Sequence, residues 1–375
     1  MIALYQPTFI EKLRDLNPTS SVLRAFVTLY EYVATMKIPS SYKPPQTNRE
    51  WRDYLCSIPR EWIIPFVNQH QLRPEQVDTE SKREWDVWRA MLDRLSVAAC
   101  MSQVPEMARY GHLNDDAHIQ DVIDVMTDDS RVVKEKVNPL HIAVAMAKYW
   151  APNRIWETHV RIENAYEHAF ETATKNFKTT GKNICIGVDP SFSMEAQPLI
   201  PGTVLTPLLT SAVLAECFTQ PGNGVAFGSL IKNQYRSMKV SWLGMESLYQ
   251  LLRKQRTFDV DHAAHIKSAE KQMVPVDVFI IITDSCYSRG DMHPLKALEA
   301  YNKTMNRKAK LVLIELKPEQ YEKYEAVATN RSSFLKIKGF HSRLLDDVRT
   351  FIMTPALRLG LKHKRSSAAR QAVAA

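Results

Sequence analysis

An all-α region of helical-repeat type followed by a doubly wound α/β domain is the fold class this chain predicts, and three observations predict it. Residues 1–178 carry apolar side chains at helical spacing with no convincing strand alternation. After Lys182, short continuous apolar runs alternate with helical segments, as in a sheet covered on both faces. Two of those runs end in oxygen-rich loops. One enters Asp189-Pro190-Ser191-Phe192-Ser193, and the other enters Thr283-Asp284. With 375 residues and 45% hydrophobic composition, the chain is long enough for two packed domains.

In the first region Val22, Phe26 and Leu29-Tyr30, and later Trp85, Trp88, Met91-Leu92 and Leu95, place apolar groups on common helix faces. Breaks fall at Pro18, at residues 39–45, at Pro59 and at Pro139. Asn138-Pro139 opens a helix over 140–150, because proline suits a first turn whose amide has no intrahelical partner. A further helix over 154–177 leads to the linker 178–182. Strands are then predicted at 183–188, 225–229, 237–242, 276–282, 309–315 and 334–337. Helices are predicted at 206–216, 244–255, 262–272, 295–305 and 344–353. The division is a helical module at 1–178, an α/β domain at 179–355 and a basic tail at 356–375 carrying Lys362-His363-Lys364-Arg365 and Arg370.

Composition narrows the function classes. A formal charge of +8 and a pI near 9.1 are compatible with an anionic partner such as nucleic acid. Cys56, Cys100, Cys185, Cys217 and Cys286 are widely spaced, with neither zinc nor redox spacing, and read as buried thiols in a reducing compartment. Neither a leader pattern nor an apolar run of bilayer length is visible, so a soluble intracellular protein without membrane contact is expected. The sequence holds neither G-x-G-x-x-G nor G-x-x-x-x-G-K, which argues against a dinucleotide or P-loop module.

The site must therefore be argued from carboxylates and hydroxyls. A hard divalent cation such as Mg2+ prefers oxygen ligands and usually keeps several waters. Asp189, Ser191 and Ser193 offer three oxygens on one loop, and Asp284 approaches from the neighbouring strand. Such a site leaves a coordination position open to a carboxylate of a partner protein. The competing reading is that Asp189 and Asp284 cap the helices after their strands while the serines satisfy loop amides.

These residues also carry a resemblance. Asp189-Pro-Ser-Phe-Ser-Met194 is similar to the metal-ion-dependent adhesion motif of von Willebrand factor A domains. The stretch Val276 to Asp284, continuing through Met292-His293-Pro294 and the apolar run from Ala309, resembles the A domain of the Ro 60 kDa autoantigen family. Upstream, Val137-Asn-Pro-Leu-His-Ile-Ala-Val-Ala-Met-Ala-Lys-Tyr149 resembles the proline-containing helix near the end of that family's TROVE module. The similarity covers roughly residues 120–355, and the helical part is shorter than a closed TROVE ring. Two departures stand out. Phe192 occupies a position that is usually glycine in the family, and Val260 occupies that of the third-loop threonine, leaving Thr257, Asp259 and Asp261 as candidate substitutes.

The resemblance implies an RNA-binding ribonucleoprotein component whose partners are small noncoding or single-stranded RNA, with a protein partner at the A domain assisted by Mg2+. It points to Arg109, His112, Lys134, Lys136, His141 and Lys148 as phosphate contacts, while helical spacing assigns the tryptophans to cores. The alternative expectation is a structural protein that keeps the fold without RNA or metal and forms a homo-oligomer or larger assembly, a viral particle included. The corresponding locations are the cytoplasm and the particle. No second metal, general base or phosphate loop accompanies Asp189 and Asp284, so a non-enzyme without catalytic residues is expected.

Overall fold

The computed structural model describes residues 45–176, 180–219, 223–232, 234–238, 245–284, 288–317 and 332–354. The helical spacing of Val22 to Tyr30, the end of the strand predicted at 237–242, Cys286 and the basic tail lie outside the described residues.

The helical region comprises α1 (Asn48–Leu55), α2 (Arg60–Gln69), α3 (Trp85–Leu92), α4 (Val97–Arg109), α5 (Asp116–Met126), α6 (Asp129–Lys134), α7 (Pro139–Tyr149) and α8 (Val160–Lys175). Polar residues before the apolar runs start these helices. Side-chain oxygens of Ser96, Asp115, Asp128 and Asn138 each accept a first-turn amide of α4, α5, α6 and α7. Trp88, Met91, Val104, Met107, Val122 and Tyr166 are buried. Trp88 Nε1 donates to the Lys82 carbonyl at 2.8 Å, and the Tyr166 hydroxyl donates to the Met101 carbonyl at 2.7 Å, so these large polar-tipped rings are satisfied in the core. Trp51 is buried as well, whereas Trp62, Trp85, Trp150 and Trp156 are only half-buried, a correction to the reading of the tryptophans as core residues.

The second region comprises β1 (Asn183–Val188), the short α9 (Ser193–Ala196), α10 (Pro207–Phe218), β2 (Gly224–Ile231), β3 (Gln234–Met238), α11 (Met245–Arg253), α12 (Ala264–Lys271), β4 (Val278–Thr283), α13 (Pro294–Thr304), β5 (Lys310–Glu315), β6 (Phe334–Lys338) and α14 (Leu344–Met353). The sheet order is β3-β2-β1-β4-β5-β6, parallel except for β3, which folds back antiparallel on β2. β4 and β5 are buried along their whole length, which is why they read as continuous apolar runs. Cys185, Phe279, Ile281, Leu311 and Leu313 pack against Ile266 of α12 and Leu298 and Tyr301 of α13. α10 is buried throughout, with Thr206 capping its start.

By packing, the chain forms two compact units. One contains the described residues up to Val137 together with Arg154–Ala169, and the other contains Asn138–Asn153 together with the described residues from Phe170 onward. The 178/179 boundary follows a change in sequence pattern, whereas packing draws α7 into the sheet-bearing unit. The reason is local, since Val144 and Ala147 of α7 pack with Leu205 and Leu209. Cys100, Cys185 and Cys217 are buried, and burial pushes the first two thiols up to about 12. Cys56 is exposed, a correction to the buried reading, because it follows the last turn of α1. Among the described residues no helix is long and apolar enough to cross a membrane.

Candidate functional site

β1 and β4 are neighbours, yet the chain passes from β1 outward through β2 and from β4 outward through β5. Their carboxyl ends therefore flank the topological switch point, where open α/β sheets place ligands. The register pairs Val188 with Ile282, so the next residues, Asp189 and Thr283, emerge side by side.

Asp189 is buried, and both of its carboxylate oxygens are engaged. Oδ1 accepts the Ser191 amide at 2.8 Å, and Oδ2 accepts the Thr283 hydroxyl at 2.7 Å. The fully buried His262 brings Nε2 to 3.7 Å from Oδ2. Burial alone raises the Asp189 carboxyl, but His262 and the hydrogen bonds outweigh it and hold the group below its ordinary value. Asp284 behaves in the opposite way. Burial, then the charge of Asp189, push its carboxyl up, and the Ser193 hydroxyl and Lys317 offset this only in part.

The serines join the two carboxylates. Ser193 Oγ donates to Asp284 Oδ1 at 3.2 Å and lies 2.9 Å from Ser191 Oγ. Because the single Ser193 proton is directed at Asp284, Ser191 is the donor in the second contact. Both hydroxyl protons are then used along the chain Ser191, Ser193, Asp284, which leaves oxygen lone pairs unshared on the two serines. In kind, these oxygens fit a hard divalent cation.

The third loop adds no uncommitted carboxylate to that set. Thr257 lies beside Ser191 through a parallel bridge, but its hydroxyl accepts the Asp259 amide at 3.1 Å. Asp259 pairs with Arg289 at 2.9 Å. Asp261 accepts the Ala263 amide at 2.9 Å and pairs with Lys267 at 2.6 Å. Asp259 and Asp261 are thus paired with cations, Thr257 alone stays beside Ser191 with one amide already accepted, and no group of three or more His, Cys, Asp or Glu side chains suited to a metal occurs among the described residues. His262 is the residue that sequence reasoning missed. It sits two positions after Val260 at the start of a helical stretch, where nothing distinguishes it from a core histidine such as His265, which burial lowers to about 3.

The predicted phosphate contacts separate into groups. Arg109, Lys134 and Lys136 are exposed in the helical unit, and Arg109 lies over the Tyr110 ring at 5.0 Å. His112 is buried with Nε2 at 3.0 Å from the Lys82 carbonyl, so it is a core histidine and offers no surface cation. His141 and Lys148 are exposed on α7, in the sheet-bearing unit. His141 lines a half-open cavity of about 310 Å³ with Leu199, Ile200, Phe340 and His341. The helical unit also holds a polar cleft of about 740 Å³ whose lining includes Arg73, Gln76, Arg94, Ser96 and Gln103, none of them singled out by the sequence.

Residues 183–352 match the family model of the Ro60 vWA domain. A protein named RNA-binding protein RO60 from Deinococcus radiodurans is 26% identical over 287 residues, covering 73% of this chain and 52% of that protein. Its namesake from Caenorhabditis elegans is 25% identical over 302 residues, covering 78% of this chain and 46% of that protein. The chain thus spans about half the length of these relatives. The crystal structure of the D. radiodurans RO (RSR) protein aligns with a TM-score of 0.69 at 21% identity, covering 92% of this chain and 70% of that one, which establishes the shared fold.

Proposed function

We propose that this chain, whose residues 183–352 match the family model of the Ro60 vWA domain, is an RNA-binding ribonucleoprotein component. The observation that carries the proposal is that the similarity to two proteins named for RNA binding covers 73% and 78% of the chain, more than its A domain alone. Exposed Arg109, Lys134 and Lys136, and the arginine-lined cleft, give the helical unit cations suited to a phosphate backbone. The A domain serves as a contact for a protein partner at the β1/β4 crevice. There Ser191, Ser193 and Asp284 would hold Mg2+, with Asp189 behind them. The ion would supply positive charge for a partner carboxylate. The role is one of binding and not of catalysis.

Binding of the full chain to small structured and single-stranded RNAs over a salt series tests this reading. Affinity is expected to fall linearly on logarithmic axes, and the combined Arg109→Ala, Lys134→Ala and Lys136→Ala variant is expected to reduce that slope by about 0.7 to 0.9 per phosphate contact removed. Lack of RNA binding at low salt would remove the proposal. It would favour an assembly protein that keeps the fold, a reading consistent with the third-loop carboxylates Asp259 and Asp261 being paired with Arg289 and Lys267.

A further inference from the structure

The rim beside the crevice combines features that the adhesion-type site does not use. Phe192 and Phe258, drawn from two loops, stack with ring centroids 4.5 Å apart. Both are open to solvent, at 43% and 70% exposure. The Arg256 guanidinium lies over the Phe192 ring, 5.6 Å from its centroid, so Phe192 meets both a cation and the more exposed Phe258 ring. The bridge between Ser191 and Thr257 fixes the two loops to each other, so the stack is held by backbone and not by the rings alone.

Positive charge surrounds this stack. The run Arg253-Lys254-Gln255-Arg256-Thr257-Phe258 places three cations immediately before the aromatic tip. Arg236 donates to Gln255 at 2.6 Å, and the Lys232 amide donates to the Asp259 carbonyl at 2.8 Å, which bring two further cations to the same rim. Arg253 and Arg256 both pair with one carboxylate, that of Glu195, while Asp259 is balanced by Arg289. Among the described residues the rim therefore carries an excess of positive charge next to an open aromatic face.

We propose that this rim of the A domain is a second RNA contact, a platform on which a base of single-stranded RNA stacks against Phe258 while Arg253, Lys254 and Lys232 neutralise the adjoining phosphates. Stacking on an aromatic beside a basic groove is how single strands are held without reading sequence. A flat ring that continues the stack and an anion that meets the surplus cations occur together in every nucleotide, whereas an acidic peptide must supply them from separate residues. The inference rests on the reading that RNA is the partner of this chain, and it adds a site outside the helical unit.

The test uses the full chain and a short oligoadenylate carrying a fluorescent adenine analogue. Phe258→Ala is expected to weaken binding by about 5- to 100-fold, Phe258→Trp to retain binding and quench the analogue, and Lys232→Ala with Lys254→Ala to flatten the salt dependence. At 70% exposure Phe258 is not a core residue, so its replacement leaves the fold intact. Unchanged affinity in the rim variants, with a loss in the Arg109, Lys134 and Lys136 variant, overturns the rim site and leaves the helical reading standing. Absence of any oligonucleotide binding at low salt overturns both. Binding of polyglutamate that is lost in the rim variants, with oligoadenylate unaffected by them, assigns the rim to an acidic protein and overturns the proposal.

Discussion

Asp189 and Asp284 have the same side chain at the ends of adjacent strands, and their surroundings drive their proton affinities in opposite directions. Asp189 gains a buried imidazole, a hydroxyl and an amide, while Asp284 gains one hydroxyl and the repulsion of Asp189. Asp284 is therefore the carboxyl whose charge is less compensated, with the Ser191 and Ser193 hydroxyls lined up toward it. If the crevice holds Mg2+, millimolar Mg2+ will raise the thermal midpoint of the wild-type protein, chelation will reverse the shift, and Ser193→Ala will abolish it. A midpoint indifferent to Mg2+ and chelator in the wild type would show that Ser191, Ser193 and Asp284 do not bind the ion at that concentration.

Among the elements, β1 and β4 depend on one another at both ends. At the carboxyl end the tie is the site itself. At the amino end it is Asp277, whose Oδ2 accepts the Asn183 amide at 2.9 Å and whose Oδ1 pairs with Arg307 at 2.7 Å. Burial raises this carboxyl, but the Asn183 amide and Arg307 more than offset it, so its folded value lies below the ordinary one. The ionised form stabilises the fold at pH values above the unfolded carboxyl value, near 4, and the contribution is lost as pH falls through the depressed folded value. Asp277→Asn should therefore cost on the order of 1 kcal/mol at neutral pH, read by denaturant unfolding, and the variant should lose less stability than the wild type between neutral pH and acid. α14 shows a related economy at its end, where Lys310 Nζ donates to the Phe351 and Ile352 carbonyls at 2.7 and 3.2 Å and so satisfies the terminal acceptors of that helix from a neighbouring strand.

At the scale of the whole molecule, the two compact units predict separable unfolding. Ala147 of α7 is buried with Leu205 and Leu209, so Ala147→Asp places a charge in an apolar cluster of the sheet-bearing unit. Scanning calorimetry of the full chain should show the transition of that unit moved down, with that of the helical unit in place; a single transition shifted as a whole would mean that the units unfold together. The sequence by itself determined the fold class, because 3.6-residue periodicity and continuous apolar runs are imprinted by burial, and it placed β1 from residue 183 to 188 as the structure has it. It also located the Asp-x-Ser-x-Ser loop and Asp284, because strand ends expose oxygen-bearing side chains in recognisable runs. Only the tertiary structure decided that Thr257, Asp259 and Asp261 engage other partners, that His262 approaches Asp189, that His112 is buried, and that Phe192 meets Phe258 across 65 intervening positions. Those facts depend on which side chains meet across the sheet's carboxyl edge or inside a core. Periodicity records whether a residue is covered, and it does not record by which residue.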